Sequence, residues 1–245
     1  MRRRDALVIG GAVAIALAIP PLLRRRNGDF QFSDLPGLPG FRRLERGSLS
    51  AAPDVFAGLQ TPREAAANDR LPNNLCAAVF PDPPAVGAVP VAVFSDYYCP
   101  YCAVLDRRLA LLRDTGAPID LTFHELPLLG DRSRWAARVA LAATRQTDHT
   151  AIHLDMMQRV LRPGPAGVKA VAGRHGLDAA QLMNDAEGDE ILAQMEDGLA
   201  LGRALGMPGT PALMIGRTLV IGALPEPDLE RIIALESEAS VVACF

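Results

Sequence analysis

Hydrophobic and polar positions divide the chain into stretches of different period. Ala6 to Leu23 is an uncharged run, closed by Arg2-Arg3-Arg4 on one side and Arg24-Arg25-Arg26 on the other. Ala88 to Phe94 is apolar on both pleat faces, which predicts a strand covered on both sides in the middle of a sheet. Leu105, Leu109 and Leu112 then repeat at i, i+4, i+7, which predicts a core-facing helix from near Pro100 through Arg113. Ile119, Leu121 and Phe123 alternate with Asp120, Thr122 and His124, a second strand. Strand, helix, strand in that order makes a right-handed βαβ unit. Helical spacing returns between Gly130 and Leu205. It is carried by Trp135, Val139 and Ala142, by Ile152, Met156, Met157 and Val160, by Val168 to Ala172, and by Leu177 to Met183. The apolar Leu213-Met214-Ile215 and Val220-Ile221 follow, then a terminal helix through Leu229 to Leu235.

The first 26 residues read as a basic region followed by an apolar segment, the pattern of a secretory signal or signal anchor. The apolar run of 18 residues is at the short end for a bilayer-spanning helix. No small-x-small cleavage site follows it, so a retained anchor is the expectation. No cysteine lies in or just after the run, which excludes a lipoprotein anchor. Residues 27–87 read as a spacer. Gly, Pro and Ser recur there, as in Leu35-Pro36-Gly37-Leu38-Pro39-Gly40 and Pro81-Asp82-Pro83-Pro84. Phe30, Phe32, Phe41 and Phe56 are too apolar for a fully disordered tail, so part of the spacer is expected to pack on the domain.

Composition narrows the partners. Hydrophobic residues make up 49% of 245 residues, enough for a sizeable core, and aromatics only 5%, so that core must be aliphatic. The formal net charge is −3 and no basic patch suggests a nucleic acid. Residues 1–26 hold six arginines and Asp5, so the remainder carries 19 basic and 27 acidic residues. Such a domain has no electrostatic hold on an anionic membrane surface.

The chemistry concentrates at Phe94-Ser95-Asp96-Tyr97-Tyr98-Cys99-Pro100-Tyr101-Cys102, where the first strand meets the helix. A Cys-x-x-Cys pair alone fits a redox centre, a metal site or a structural disulfide. A helix N-terminus presents unpaired N–H groups and a positive dipole end, so a thiolate there is stabilised and becomes nucleophilic near neutral pH. Pro100 suits the first turn, having no N–H to waste. Cys102 lies one turn on and can resolve a mixed disulfide. Asp96 has two readings, a proton relay to Cys102 or a cap for the coming helix.

Further segments widen the match: Glu125-Leu126-Pro127-Leu128-Leu129-Gly130, Leu205-Gly206-Met207-Pro208-Gly209-Thr210-Pro211-Ala212, and Val220-Ile221-Gly222-Ala223. With the cysteine motif, residues 88–238 resemble the DsbA-like group of thioredoxin-fold thiol-disulfide oxidoreductases. The resemblance implies an α/β, thioredoxin-like fold with a central β-sheet flanked by helices. It implies a domain over 88–240 with an inserted helical subdomain at about 131–204. Cys99 and Cys102 are then the catalytic pair, with Pro100 and Tyr101 between them tuning it. Pro211 is expected to be cis and to pack against the pair, and Thr210 to offer its backbone to a substrate chain by β-like pairing. The expected partners are exported proteins bearing thiols or disulfides, and a membrane redox partner that recycles the pair. The expected place is the periplasm, anchored to the inner membrane, with no cofactor and no metal. The Cys-Pro-Tyr-Cys motif with Thr before the proline resembles the isomerase and reductase branch, while the inserted helices resemble the oxidase side, so the direction of electron flow stays open.

The rival reading is a non-catalytic chaperone, or a copper or other metal-binding module. It needs ligands beyond Cys99 and Cys102, and no second close cysteine pair is present. His149 and His153 stand four apart on a predicted helix and could share a metal, but Asp148 and Asp155 around them favour a solvated helix face. His124 and His175 show no partner. Cys76 and Cys244 either pair with each other or leave Cys244 a free thiol.

Overall fold

The computed structural model describes residues 30–45, 50, 60–239 and 244. The expected anchor at residues 1–26 lies outside these. Among the described residues no helix is long and apolar enough to cross a membrane. The chain divides after Phe32 into two units, and every element named below lies in the second, Ser33–Phe245.

The centre is a six-stranded sheet. Strand β3 (Val89–Ser95) is buried at all seven positions, as its two-faced apolar pattern requires. It pairs in parallel with β4 (Ile119–Glu125), from Val89↔Ile119 to Ser95↔Glu125. Helix α3 (Pro100–Asp114) makes the crossover and buries Cys102, Leu105, Asp106 and Leu109, one stripe at helical spacing. On the other side β3 pairs antiparallel with β5 (Ala212–Ile215), which pairs antiparallel with β6 (Thr218–Ile221). Five helices lie between β4 and β5: α4 (Asp131–Ala143), α5 (His149–Gln158), α6 (Pro165–His175), α7 (Ala179–Glu187) and α8 (Asp189–Ala204). Helix α9 (Glu226–Ser237) closes the fold.

The stretch read as a spacer contributes more than packing. Strand β1 (Ser33–Asp34) pairs antiparallel with β2 (Arg42–Glu45), and β2 pairs in parallel with β6 over four residues. The sheet order is therefore β1-β2-β6-β5-β3-β4. The sequence Arg42-Arg43-Leu44-Glu45 has little apolar signal because its charge is used internally. Arg42 donates to Thr218 Oγ1 and to Glu236 Oε1, both at 2.7 Å, and the Glu236 side chain is buried. Helix α1 (Pro62–Arg70) starts with a capping box, in which Thr61 N–H donates to Glu64 Oε2 at 2.7 Å and Glu64 N–H to Thr61 Oγ1 at 3.3 Å. Short helix α2 (Leu75–Val79) buries Cys76 and Val79. Cys76 forms a disulfide with Cys244, their Cα atoms 5.3 Å apart, which ties this region to the C-terminal end.

Candidate active site

Strand β3 ends at Ser95 and a short turn leads into α3, so the strand delivers the cysteines to the edge of the core. Asp96 shapes that turn. Its buried carboxylate accepts from Tyr98 N–H at 2.8 Å, Leu129 N–H at 2.9 Å and the Ser133 hydroxyl at 2.7 Å. It thereby joins the turn to the loop after β4 and to α4. Burial pushes its carboxyl up in pKa, opposed by these donors. Asp96 does not cap α3, because Cys99 is itself the N-cap residue.

Cys99 and Cys102 are both buried, and both are free thiols. The N–H of Cys102 donates to Cys99 Sγ at 3.3 Å. The same sulfur lies 3.4 Å from the Thr210 carbonyl oxygen and 3.5 Å from Ser50 Oγ. The Cys99 thiol is drawn down to about 6 by a hydrogen bond from the Cys102 side chain, against burial, with help from the Ser50 hydroxyl and the Cys102 N–H. Cys102 moves the other way. Burial first, then the Cys99 sulfur and Asp106, push its thiol far above the ordinary range. One cysteine is thus prepared as a thiolate and the other as a thiol. Pro100 opens the helix and Tyr101 is exposed beside the pair.

The peptide bond Thr210–Pro211 is cis, as the resemblance implies. Thr210 is fully buried and its backbone is already paired. Ser50 N–H donates to Thr210 O at 2.6 Å, and Thr210 N–H to Ser50 O at 2.8 Å. A residue of the chain's own N-terminal region therefore sits on the backbone edge beside Cys99.

The histidine expectations need correction. His153 is buried at the centre of a polar cluster. Its Nε2 is 2.9 Å from Asp106 Oδ2, and its Nδ1 is 3.1 Å from the Tyr97 hydroxyl, which donates to Glu125 Oε1 at 2.6 Å. His149, half-buried, places Nε2 2.9 Å from the same Glu125 oxygen. Ser95 Oγ donates to Asp106 at 2.9 Å, linking the cluster to the end of β3. Burial opposes a charge on His153, yet Asp106 and Glu125 outweigh it and raise the imidazole to about 9. Burial likewise opposes the Glu125 charge, but the two imidazoles hold the carboxyl down at about 2. Asp148 is exposed, as expected, and caps α5 by accepting from Ala151 N–H at 3.1 Å, while Asp155 pairs with Arg159, Arg174 and His175. His124, expected to lack a partner, places Nε2 2.8 Å from the Val79 carbonyl oxygen and stacks on Phe94 at 4.6 Å.

Asp106 and Glu125 carry a signal in the sequence. Asp106 falls on the apolar stripe of α3 between Leu105 and Leu109, and Glu125 continues the inward face of Ile119, Leu121 and Phe123. A charge at a core position is a signal in itself.

A parallel βαβ unit with two cysteines at the helix N-terminus, one of them in contact with the residue before a cis-proline, defines a thioredoxin-like fold. A model of the DSBA-like thioredoxin domain matches residues 90–234, and the chain belongs to that family. A thioredoxin-like oxidoreductase from Silicibacter pomeroyi DSS-3 is 34% identical, with a TM-score of 0.59 over 67% of this chain and 98% of that one. A periplasmic thioredoxin-like protein from Salmonella enterica serovar Typhimurium is 28% identical, with a TM-score of 0.59 over 69% of this chain and 99% of that one. The thiol-disulfide exchange protein alpha-DsbA2 from Wolbachia pipientis shares the fold at 22% identity and a TM-score of 0.58, over 72% of this chain and 99% of that one. No curated protein matches the sequence.

Proposed function

We propose that this protein catalyses thiol-disulfide exchange on exported proteins in the bacterial cell envelope. The observation that carries the reading is the placement of the two cysteines: Cys99 Sγ caps the helix, 3.3 Å from the Cys102 N–H and 3.5 Å from Ser50 Oγ, and Cys102 is fully buried one turn on. In the reducing direction Cys99 thiolate attacks a substrate disulfide, forming a Cys99–substrate disulfide and releasing one substrate thiolate. Cys102 then loses its proton and attacks Cys99 Sγ. The Cys99–Cys102 disulfide forms and the second substrate thiolate leaves, two electrons having passed to substrate. The oxidising direction is the reverse. An incoming chain takes over the Thr210 N–H and C=O that Ser50 holds here.

A Cys99 pKa of about 6 falls between thioredoxin (about 7) and the strongly oxidising DsbA (about 3.5). We propose a reduction potential between those of thioredoxin (about −270 mV) and DsbA (about −120 mV), with the direction of exchange set by the partner. The arginine-bracketed run of residues 6–23 supports tethering to the inner membrane, and a membrane redox partner is then the natural recycler. The test is equilibration of the Cys99/Cys102 pair with glutathione, together with reactivation of a scrambled disulfide protein. A potential inside that window with reactivation dependent on Cys99 supports the proposal. Reactivation that persists in Cys99→Ala overturns it.

A further inference from the structure

The cluster behind the redox pair has the parts of a metal site. Glu125 ends β4, and His149 and His153 stand one turn apart on α5. Glu125 Oε1 lies 2.9 Å from His149 Nε2 and 3.5 Å from His153 Nδ1, and the three donor atoms fall within 4.8 Å of one another. Ligand atoms around a tetrahedral zinc ion, each about 2.0–2.1 Å from it, stand about 3.3 Å apart.

Two independent observations point to a ligand. The second carboxylate oxygen, Glu125 Oε2, is buried and has no hydrogen-bond partner among the described residues. A buried carboxylate oxygen left unpaired is costly, and a cation held by the Glu125 carboxylate, both oxygens included, would offset that cost. In addition, Asp106 Oδ2 engages His153 Nε2 at 2.9 Å, which leaves Nδ1 as the nitrogen facing Glu125. A carboxylate behind a ligating imidazole, orienting the ring and raising its basicity, is the usual support of such a ligand. Access exists as well. A cavity of about 510 Å³ reaches Glu125 and His149 but not the fully buried His153; the Arg70–Asp197 ion pair also lines it.

We propose that Glu125, His149 and His153 bind one divalent transition-metal ion of the zinc class. Two imidazoles and a carboxylate, without sulfur, suit Zn²⁺ and its neighbours and not Ca²⁺ or Mg²⁺, which take oxygen ligands. The ion replaces the proton between His153 and Glu125, and Tyr97 stays on Glu125 as a hydrogen-bond donor. Neither Cys99 nor Cys102 is among these ligands.

The test is a Co²⁺ titration of the tag-free full chain with Cys99 and Cys102 oxidised to a disulfide, so that no free thiol competes. One equivalent should bind, with visible absorption of four- or five-coordinate Co²⁺ and no sulfur charge-transfer band. His149→Ala should abolish binding at stoichiometric concentrations, and Asp106→Asn should weaken it about 10–100-fold. X-ray absorption of the Zn²⁺-loaded wild-type protein, which does not depend on any variant folding, should show two imidazoles and no sulfur. Absence of stoichiometric binding, binding unchanged by His149→Ala, or a spectrum with sulfur or fewer than two imidazoles would each overturn the proposal.

Discussion

The backbone N–H of Cys102 points at the sulfur of Cys99 from 3.3 Å, so the helix solvates the sulfur that begins it. The same turn buries the sulfur of Cys102 completely. Three residues of spacing thus separate a stabilised thiolate from a suppressed one.

Alkylation of the reduced protein by iodoacetamide should report this split. The Cys99 pKa is lowered from its ordinary value to about 6, so the reactive thiolate is present above that pH and is lost as pH falls through it. Modification should map to Cys99 alone. Ser50→Ala removes one donor and should move the midpoint upward.

Thr210 touches Cys99 through its carbonyl, while its buried hydroxyl has no hydrogen-bond partner among the described residues. Thr210→Val keeps the shape and removes an unsatisfied polar group. It should stabilise the fold by about 1 kcal/mol in urea unfolding. The alkylation midpoint of Cys99 should stay in place, since the backbone contact remains.

Asp96 answers three buried or half-buried donors from three segments. Asp96→Ala leaves all three without it, and a cost of about 3 kcal/mol is expected in urea unfolding. Were Asp96 mainly a proton relay, the variant would instead slow resolution of mixed disulfides with little change in stability.

Helix α8 comes so close to β4 that a Cβ on Gly198 would sit 2.7 Å from the Glu125 carbonyl oxygen. Helix propensity favours Ala over Gly by about 1 kcal/mol. The obstacle here is backbone, which cannot rotate away, so overpacking wins. Gly198→Ala should destabilise the fold by about 1–3 kcal/mol, read as a drop in the urea midpoint.

What the sequence discloses follows the range of the interactions. The β3–α3–β4 unit is written in local periods, and the residues of Cys-Pro-Tyr-Cys and Thr-Pro are each contiguous. The pairing of β2 with β6 is not local. Its four residues carry two arginines and a glutamate, and Arg42 meets Thr218 and the buried Glu236, 176 and 194 residues away. The pattern around His149 and His153 looks polar because their partners, Asp106 and Glu125, are polar too. Charges that turn toward one another inside a core mimic a wet surface when the helix is read alone. The intruders on apolar stripes, Asp106 and Glu125, were the available signal.

The central claim is that Cys99 is the sulfur that meets substrate and Cys102 the one that resolves it. Trapping tests this directly. Cys102→Ser protein, mixed at neutral pH with a disulfide-bonded substrate protein, should accumulate a mixed disulfide whose linkage maps to Cys99. Cys99→Ser protein should accumulate none. A mixed disulfide through Cys102, or equal trapping by both variants, would contradict the account.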